Sequence, residues 1–271
     1  MEDTNTFSAE IKIFSKAGYD NKCIGACYQS QRILMIAEIK FNAGVLPKFK
    51  VIPVNVSKPP KEFKELGLHL RVPALFLSLG KKEEFEPIDI ADDIVLELEN
   101  RYPGGLLKND LEAEAESATR NLFSKFCHWM RGVAKDSGHL ETELAHLDSH
   151  LSAVSVNYPQ ADKLYLCGDR PALVDCEVLP KLHQVRVAAQ GIKDYELPRN
   201  LTHVWRYLHS AYSDPAFIKC CPSDTEILLH WLDTGSAKLS ARQQQLLAAS
   251  SGKPPTFSFT VPATATRVVL E

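Results

Sequence analysis

The hydrophobic pattern changes period near residue 103, and that change limits the architectures open to the chain. Before it, short apolar runs alternate with stretches of helical spacing, the signature of an α/β unit. Residues 11–15 read as a strand, and 27–40, with Ile33, Ile36, Ala37 and Lys40 at helical spacing, as a helix. Residues 49–56 are strand-like but hold Pro53, whose missing N–H places them on a sheet edge. Pro59-Pro60 opens a short helix through Leu66, 74–79 is an apolar strand, and 84–87 follows it after a Gly80-Lys81-Lys82 turn. Residues 89–101 form a helix, with Asp89 as N-cap and Ile90, Ile94 and Leu98 along one face. The predicted order is βαβαββα.

From residue 108 the pattern is almost wholly helical. One long segment covers 111–135 and a second 140–156. Val174, Val178, Leu182, Val185 and Ala189 mark a third stripe, kinked or tightened at Pro180, which lacks a donor for its turn. Leu201, Val204, Leu208 and Ala211 mark a fourth. Asp214-Pro215 supplies a cap and a proline at the first helical position, and Ser223-Asp224-Thr225-Glu226 is a capping box for a last helix through Asp233. The expected organisation is an α/β domain over 1–103, an all-helical domain over 108–235 and a polar tail over 236–271. The tail is expected to be mobile at least to Pro255, although 256–261 alternates like a strand able to dock.

The 271 residues are 45% apolar, ample for a core, and 31 basic against 34 acidic side chains give a net charge of −3. That balance excludes a strongly basic nucleic-acid binder, and Lys181, Arg186 and Arg242 are too scattered for a binding stripe. Seven cysteines form neither a paired framework nor a zinc pattern, so they read as reduced thiols of a cytoplasmic protein. The polar start, Met1-Glu2-Asp3-Thr4-Asn5-Thr6, predicts no export signal. The best apolar stretch for crossing a bilayer, 33–54, carries Glu38, Lys40, Lys48 and Lys50. At about 2.5 to 3.5 kcal/mol each, those charges cost on the order of 10 kcal/mol at the bilayer centre, so no constitutive span is expected. His146 and His150 sit four apart without a third ligand and read as a solvent-facing pair, with no metal.

The chemistry concentrates at Cys27-Tyr28-Gln29-Ser30, which opens the first helix after the first strand. A thiol there faces unpaired N–H groups and the positive end of the helix dipole, which favour thiolate. Ser30 can add a hydroxyl donor to the sulfur. With serine in the second position no Cys-x-x-Cys ring closes, so Cys27 would work as a monothiol, holding glutathione as a mixed disulfide that a second glutathione resolves. The alternative is a small thiol that merely caps a helix. Cys23 is a candidate resolving partner. A cis Val72-Pro73 bond would aim the Val72 amide toward the cysteine, and a trans proline opening a strand is the alternative.

These residues carry a resemblance. The first strand, the Cys-x-x-Ser helix and the Val-Pro strand resemble the thioredoxin-like half of a glutathione transferase, followed by its all-helical half. More closely, Ile24-Gly25-Ala26-Cys27-x-x-Ser30-Gln31-Arg32, Asp175-Cys176-Glu177-Val178-Leu179-Pro180-Lys181-Leu182-His183 and Cys221-Pro222-Ser223-Asp224 resemble the chloride intracellular channel family. Lys253-Pro254-Pro255-Thr256-Phe257 is similar to the tails of its invertebrate members. The resemblance runs over nearly the whole chain from Ile11.

It implies a two-domain, glutathione-transferase-like protein with glutaredoxin-like activity that also associates with membranes and conducts chloride. By the resemblance, Cys27 is the redox thiol, Ser30 its neighbour, Pro73 a cis-proline, and 27–54 the segment that inserts into lipid. Cys27, Val72, Pro73 and Asp89 would hold glutathione, a co-substrate rather than a tightly bound cofactor. Further partners would be the membrane lipid surface and cytoskeletal or trafficking proteins, and a non-catalytic adaptor is the third functional class. The sequence departs from the family at Tyr28, where relatives carry proline, and at Ile90-Ala91, where glutathione binders carry a polar or acidic pair that Asp89 or Asp92 would replace. Ala172 stands where relatives cap a helix with Ser or Thr, a loss of about 1 kcal/mol, and Glu38 burdens the insertion segment.

Overall fold

Strand β1 (Glu10–Lys16) is buried along most of its length because it has a partner on each side. β2 (Phe49–Val54) pairs with it in parallel, Ile11 opposite Phe49, and β3 (Ala74–Ser78) antiparallel, Ile13 opposite Leu75. The sheet order is therefore β2-β1-β3. Pro53 sits on the edge strand, opposite Ser15, where its lack of a donor costs no second ladder. The computed structural model describes residues 10–78, 87–233 and 238–263, and the chain divides into two compact units, Met1–Gly105 and Leu106–Glu271.

In the first unit α1 (Tyr28–Asn42) is buried on nearly every side, including Gln31, Glu38 and Lys40. The short α2 (Lys61–Lys64) drives Phe63 against Phe14, ring centroids 5.1 Å apart, in a cluster with Val54 and Ala74. Of the expected fourth strand, residues 84–86 lie outside the described residues, as does the 80–82 turn. Ile88 makes one antiparallel bridge to Leu75, with amide-to-carbonyl distances of 2.8 and 3.0 Å.

Helix α3 (Ala91–Arg101) corrects one expectation. Its N-cap is Ile90, without a side-chain cap, and Asp89 is spent elsewhere. The helix offsets this with Asp92 and Asp93 in its first turn, favourable at the positive dipole end.

The second unit is helical: α4 (Glu112–Thr119), α5 (Leu122–Met130), α6 (Gly138–Asn157), α7 (Leu173–Lys193), α8 (Thr202–Tyr212), α9 (Pro215–Cys220), α10 (Asp224–Trp231) and α11 (Ala241–Ser250). The single helix expected over 111–135 is two. The backbone stays right-handed through Arg120 and Asn121, but the Thr119 hydroxyl donates back to Ala115 O at 2.8 Å and Ser124 to Asn121 O at 2.8 Å. Such back-bonding competes with the helical ladder and bends it.

α7 runs unbroken through Pro180 and is the buried centre of this unit. Its N-cap, Ala172, has no side-chain cap, and Asp175 takes over. The buried carboxylate accepts the Ala172 amide at 2.8 Å, the Leu166 amide at 2.9 Å and the Tyr207 hydroxyl at 2.8 Å.

His150 does not face solvent as expected. It turns inward, Nε2 2.8 Å from Leu166 O, while His146 stays exposed. The stretch expected to be mobile holds α11, started by a reciprocal box in which Ser240 and Gln243 cap each other's backbone amides, with Gln243 buried. Residues 256–260 dock on the helices, though not as a strand.

Candidate functional site

Cys27 is the N-cap of α1, in an extended conformation (φ −147°, ψ 108°), and its Sγ accepts the Ser30 amide at 3.4 Å. The loop before it is drawn onto the end of β1. Gly25 N donates to Lys16 O at 2.8 Å, Lys16 Nζ reaches Ala26 O at 3.3 Å, and a Cβ on Gly25 would lie 2.3 Å from Ala17 O. Only glycine permits that approach, which sets the half-buried sulfur beyond the C-terminal end of β1. The first turn of α1 holds no carboxylate to compete with the sulfur for the helix amides.

Ser30 is fully buried, and its hydroxyl oxygen accepts the Lys16 amide at 3.1 Å. Its contribution at the sulfur is the main-chain N–H; the hydroxyl serves to tie α1 to β1 rather than to act as the donor expected from the spacing.

The Val72-Pro73 bond is cis. Pro73 immediately precedes Ala74, which pairs with Phe14 near the end of β1, so the proline and Cys27 lie at the same end of the sheet. Asp89 is at that end too, one residue past the Ile88–Leu75 bridge. Its carboxylate accepts the His69 amide at 3.0 Å and Arg71 Nη2 at 3.0 Å, clamping the loop that leads into Pro73 and includes Leu70 in a left-handed conformation (φ 56°). Burial alone would raise the Asp89 carboxyl, but the Arg71 guanidinium, the His69 amide and the charges of both residues together hold it below the ordinary carboxylate value. Asp89 thus fixes the loop before Pro73, with both oxygens engaged. Asp92, the other candidate anchor, is exposed and pairs with Arg32 Nη1 at 2.7 Å.

Cys23 is exposed, in a turn whose amide donates to Asp20 at 2.8 Å. The Arg71–Asp89 clamp was missed in the sequence because nothing in the spacing of residues 71 and 89 marks them as neighbours. The arrangement places one half-buried sulfur at a helix start with a main-chain donor, at the sheet end that also carries the Pro73 loop, which suits monothiol exchange.

Comparison with known proteins bears directly on this arrangement. Residues 9–94 match the family model of the CLIC-like N-terminal domain, and 126–210 that of the glutathione S-transferase C-terminal domain. A curated Caenorhabditis elegans protein, chloride intracellular channel exl-1, is 36% identical over 215 residues, covering 79% of this chain and 83% of the relative. The chain belongs to the chloride intracellular channel family. Among solved structures, the CLIC homologue EXC-4 of C. elegans superposes with a TM-score of 0.73 at 24% identity, over 95% of this chain and 96% of that one. The dehydroascorbate reductase of Chlamydomonas reinhardtii follows at 0.66 and 25% identity, over 82% and 96%. The chloride intracellular channel chain thus has a thioredoxin-like first unit and a glutathione-transferase-like helical second unit. Among the described residues, no helix is long and apolar enough to cross a membrane.

Proposed function

We propose that the chain acts, as its relative's name states, as a chloride channel, and that it associates with membranes from the cytoplasm to do so. The supporting observation is the 36% identity to chloride intracellular channel exl-1 across 83% of that protein. Because no described helix can span a bilayer as folded, membrane entry on this reading involves refolding, and the segment 27–54 must leave the sheet. The lysines of the segment then reach toward headgroups or a pore. Flotation with liposomes tests the association. The chain should move with lipid at mildly acid pH; failure to partition at neutral and acid pH, reduced and oxidised, would count against it.

A second function, glutathione-dependent thiol–disulfide exchange, is favoured by one observation: Cys27 Sγ caps α1 and accepts the Ser30 amide at 3.4 Å. The likeness to a dehydroascorbate reductase supports the same reading. The Cys27 thiolate attacks the glutathione sulfur of a mixed disulfide, forming Cys27–S–S–glutathione and expelling the substrate thiolate. A second glutathione thiolate then attacks the glutathione sulfur of that disulfide, releasing oxidised glutathione and restoring the Cys27 thiolate. Disulfide reduction should vanish in Cys27→Ser and survive Cys23→Ser; equal rates in wild type and Cys27→Ser would eliminate the reading.

A further inference from the structure

Residues 256–260 lie on the helical unit in the manner of a bound peptide. Arg186 donates through Nη1 to Ser258 O and through Nη2 to Thr260 O. Asp224 accepts the Ser258 amide at 3.0 Å and the Ser258 hydroxyl at 3.0 Å, and its own amide donates to Thr256 O at 2.9 Å. The Phe259 ring packs against Tyr212, His183 and Phe217, with centroids at 5.0, 5.7 and 6.3 Å. Phe257 stacks on Phe259 at 5.4 Å, folded back by a bond from Phe259 N to Phe257 O at 2.9 Å. That three-residue turn is why the alternating sequence does not extend as a strand.

The surface beneath is arranged for main-chain recognition. Arg186 is 8% exposed with the segment in place, its guanidinium 5.0 Å over the Trp205 ring and 5.2 Å over Tyr212, so the rings hold its plane and the two free N–H groups are presented to the backbone that lies there. Asp224 is its acceptor counterpart across the backbone. Only one side chain of the segment, Phe259, enters an aromatic pocket; residues 251–257 are exposed. A groove of about 540 Å³ lies beside Thr260, between Gln190, Glu196, Arg199 and Trp205 on one side and the chain's own Val261, Pro262 and Ala263 on the other.

We infer that this face of α7, α8, α9 and α10 is a docking groove for a turn-forming peptide of a partner protein, carrying two aromatic side chains flanking a hydroxyl residue, and that residues 256–260 fill it as a displaceable intramolecular ligand. The guanidinium and carboxylate read the partner's backbone, and the aromatic pocket selects its second ring. Tethering gives the chain's own segment an effective concentration of about millimolar, so a partner in trans competes at a disadvantage until the segment is released.

The test is binding of a fluorescein-labelled peptide of residues 254–263 to the full chain, followed by anisotropy. Phe259→Ala in the chain empties the pocket without touching the groove. Ser258→Pro, which removes the amide that Asp224 accepts, is a second route if the first variant melts early. Either variant should bind the peptide at least tenfold tighter than wild type, and the peptide carrying Phe259→Ala should not bind. No binding to folded variants, or equal binding to wild type and variants, would overturn the proposal. So would a wild-type dimer that the peptide dissociates, since the groove would then serve a second copy of this chain.

Discussion

Lys40 Nζ lies 2.7 Å from Glu99 Oε1, and the lysine side chain has no exposed surface. The same ammonium donates to Tyr102 O at 2.6 Å and Gly104 O at 2.9 Å, so the C-terminal half of α1 is bound to the end of α3 through one buried charge. Lys40→Met should cost about 3 to 5 kcal/mol, because Glu99 keeps a charge in a buried site without its cation. Adding Glu99→Leu should recover much of that loss. Urea unfolding of both variants measures it. A double variant no more stable than Lys40→Met would show that the pair is not the source of the cost. Since α1 belongs to the segment proposed to enter lipid, Lys40→Met should also partition to liposomes more readily.

Ser30 yields a prediction that separates its two candidate roles. Its hydroxyl accepts the Lys16 amide, so Ser30→Ala strands a buried donor and should cost about 1 to 3 kcal/mol. Exchange at Cys27 should persist in the folded variant, since the sulfur keeps the main-chain donor of residue 30. A variant of unchanged stability that has lost exchange would place the hydroxyl at the sulfur instead.

Asp89 couples the Pro73 loop to pH. Its carboxyl is held below the ordinary value, so the folded chain stays ionised where the unfolded chain takes up a proton. This stability is complete above the unfolded pKa of about 3.9 and is lost as pH falls through the lower folded value. Asp89→Asn should be less stable than wild type at pH 7, and the gap should narrow in strong acid. A gap independent of pH would deny the clamp its ionic character.

His183 acts in the same direction over a wider window. Burial, with the charge of Arg186 adding to it, holds the imidazole down to about 3. The unfolded chain binds a proton as pH falls through about 6.5 while the folded one does not until about 3, so stability declines across that range by up to about 1.4 kcal/mol per pH unit. The Asp175 carboxyl, pushed up to about 6 by burial despite its three donors, opposes this below pH 6, because the folded chain then takes the proton first. His183→Gln, which can still reach Tyr212, should flatten the decline between pH 6.5 and 4. Parallel wild-type and variant curves would contradict it.

Local rules were readable wherever a residue's own backbone role decided the outcome. Cys27 at the start of α1, Pro53 on an edge strand, and the caps Asp214 and Ser223 all follow from which groups a short segment must satisfy. What escaped depends on partners distant in sequence. Asp89 looks like an N-cap until Arg71 and His69 claim it, and Lys40 looks like a helix-face cation until Glu99 buries it. The tail reads as mobile because Gln243 and Phe259 gain their burial and ring contacts from α7, α9 and α10, which no window over residues 236–260 contains.

Chloride efflux from liposomes exposed to the protein, at neutral and mildly acid pH with a large entrapped dye as control, tests the central claim most directly. The account predicts saturable chloride release, stronger in acid, with the dye retained. No release at either pH, or release of chloride and dye together, would contradict it.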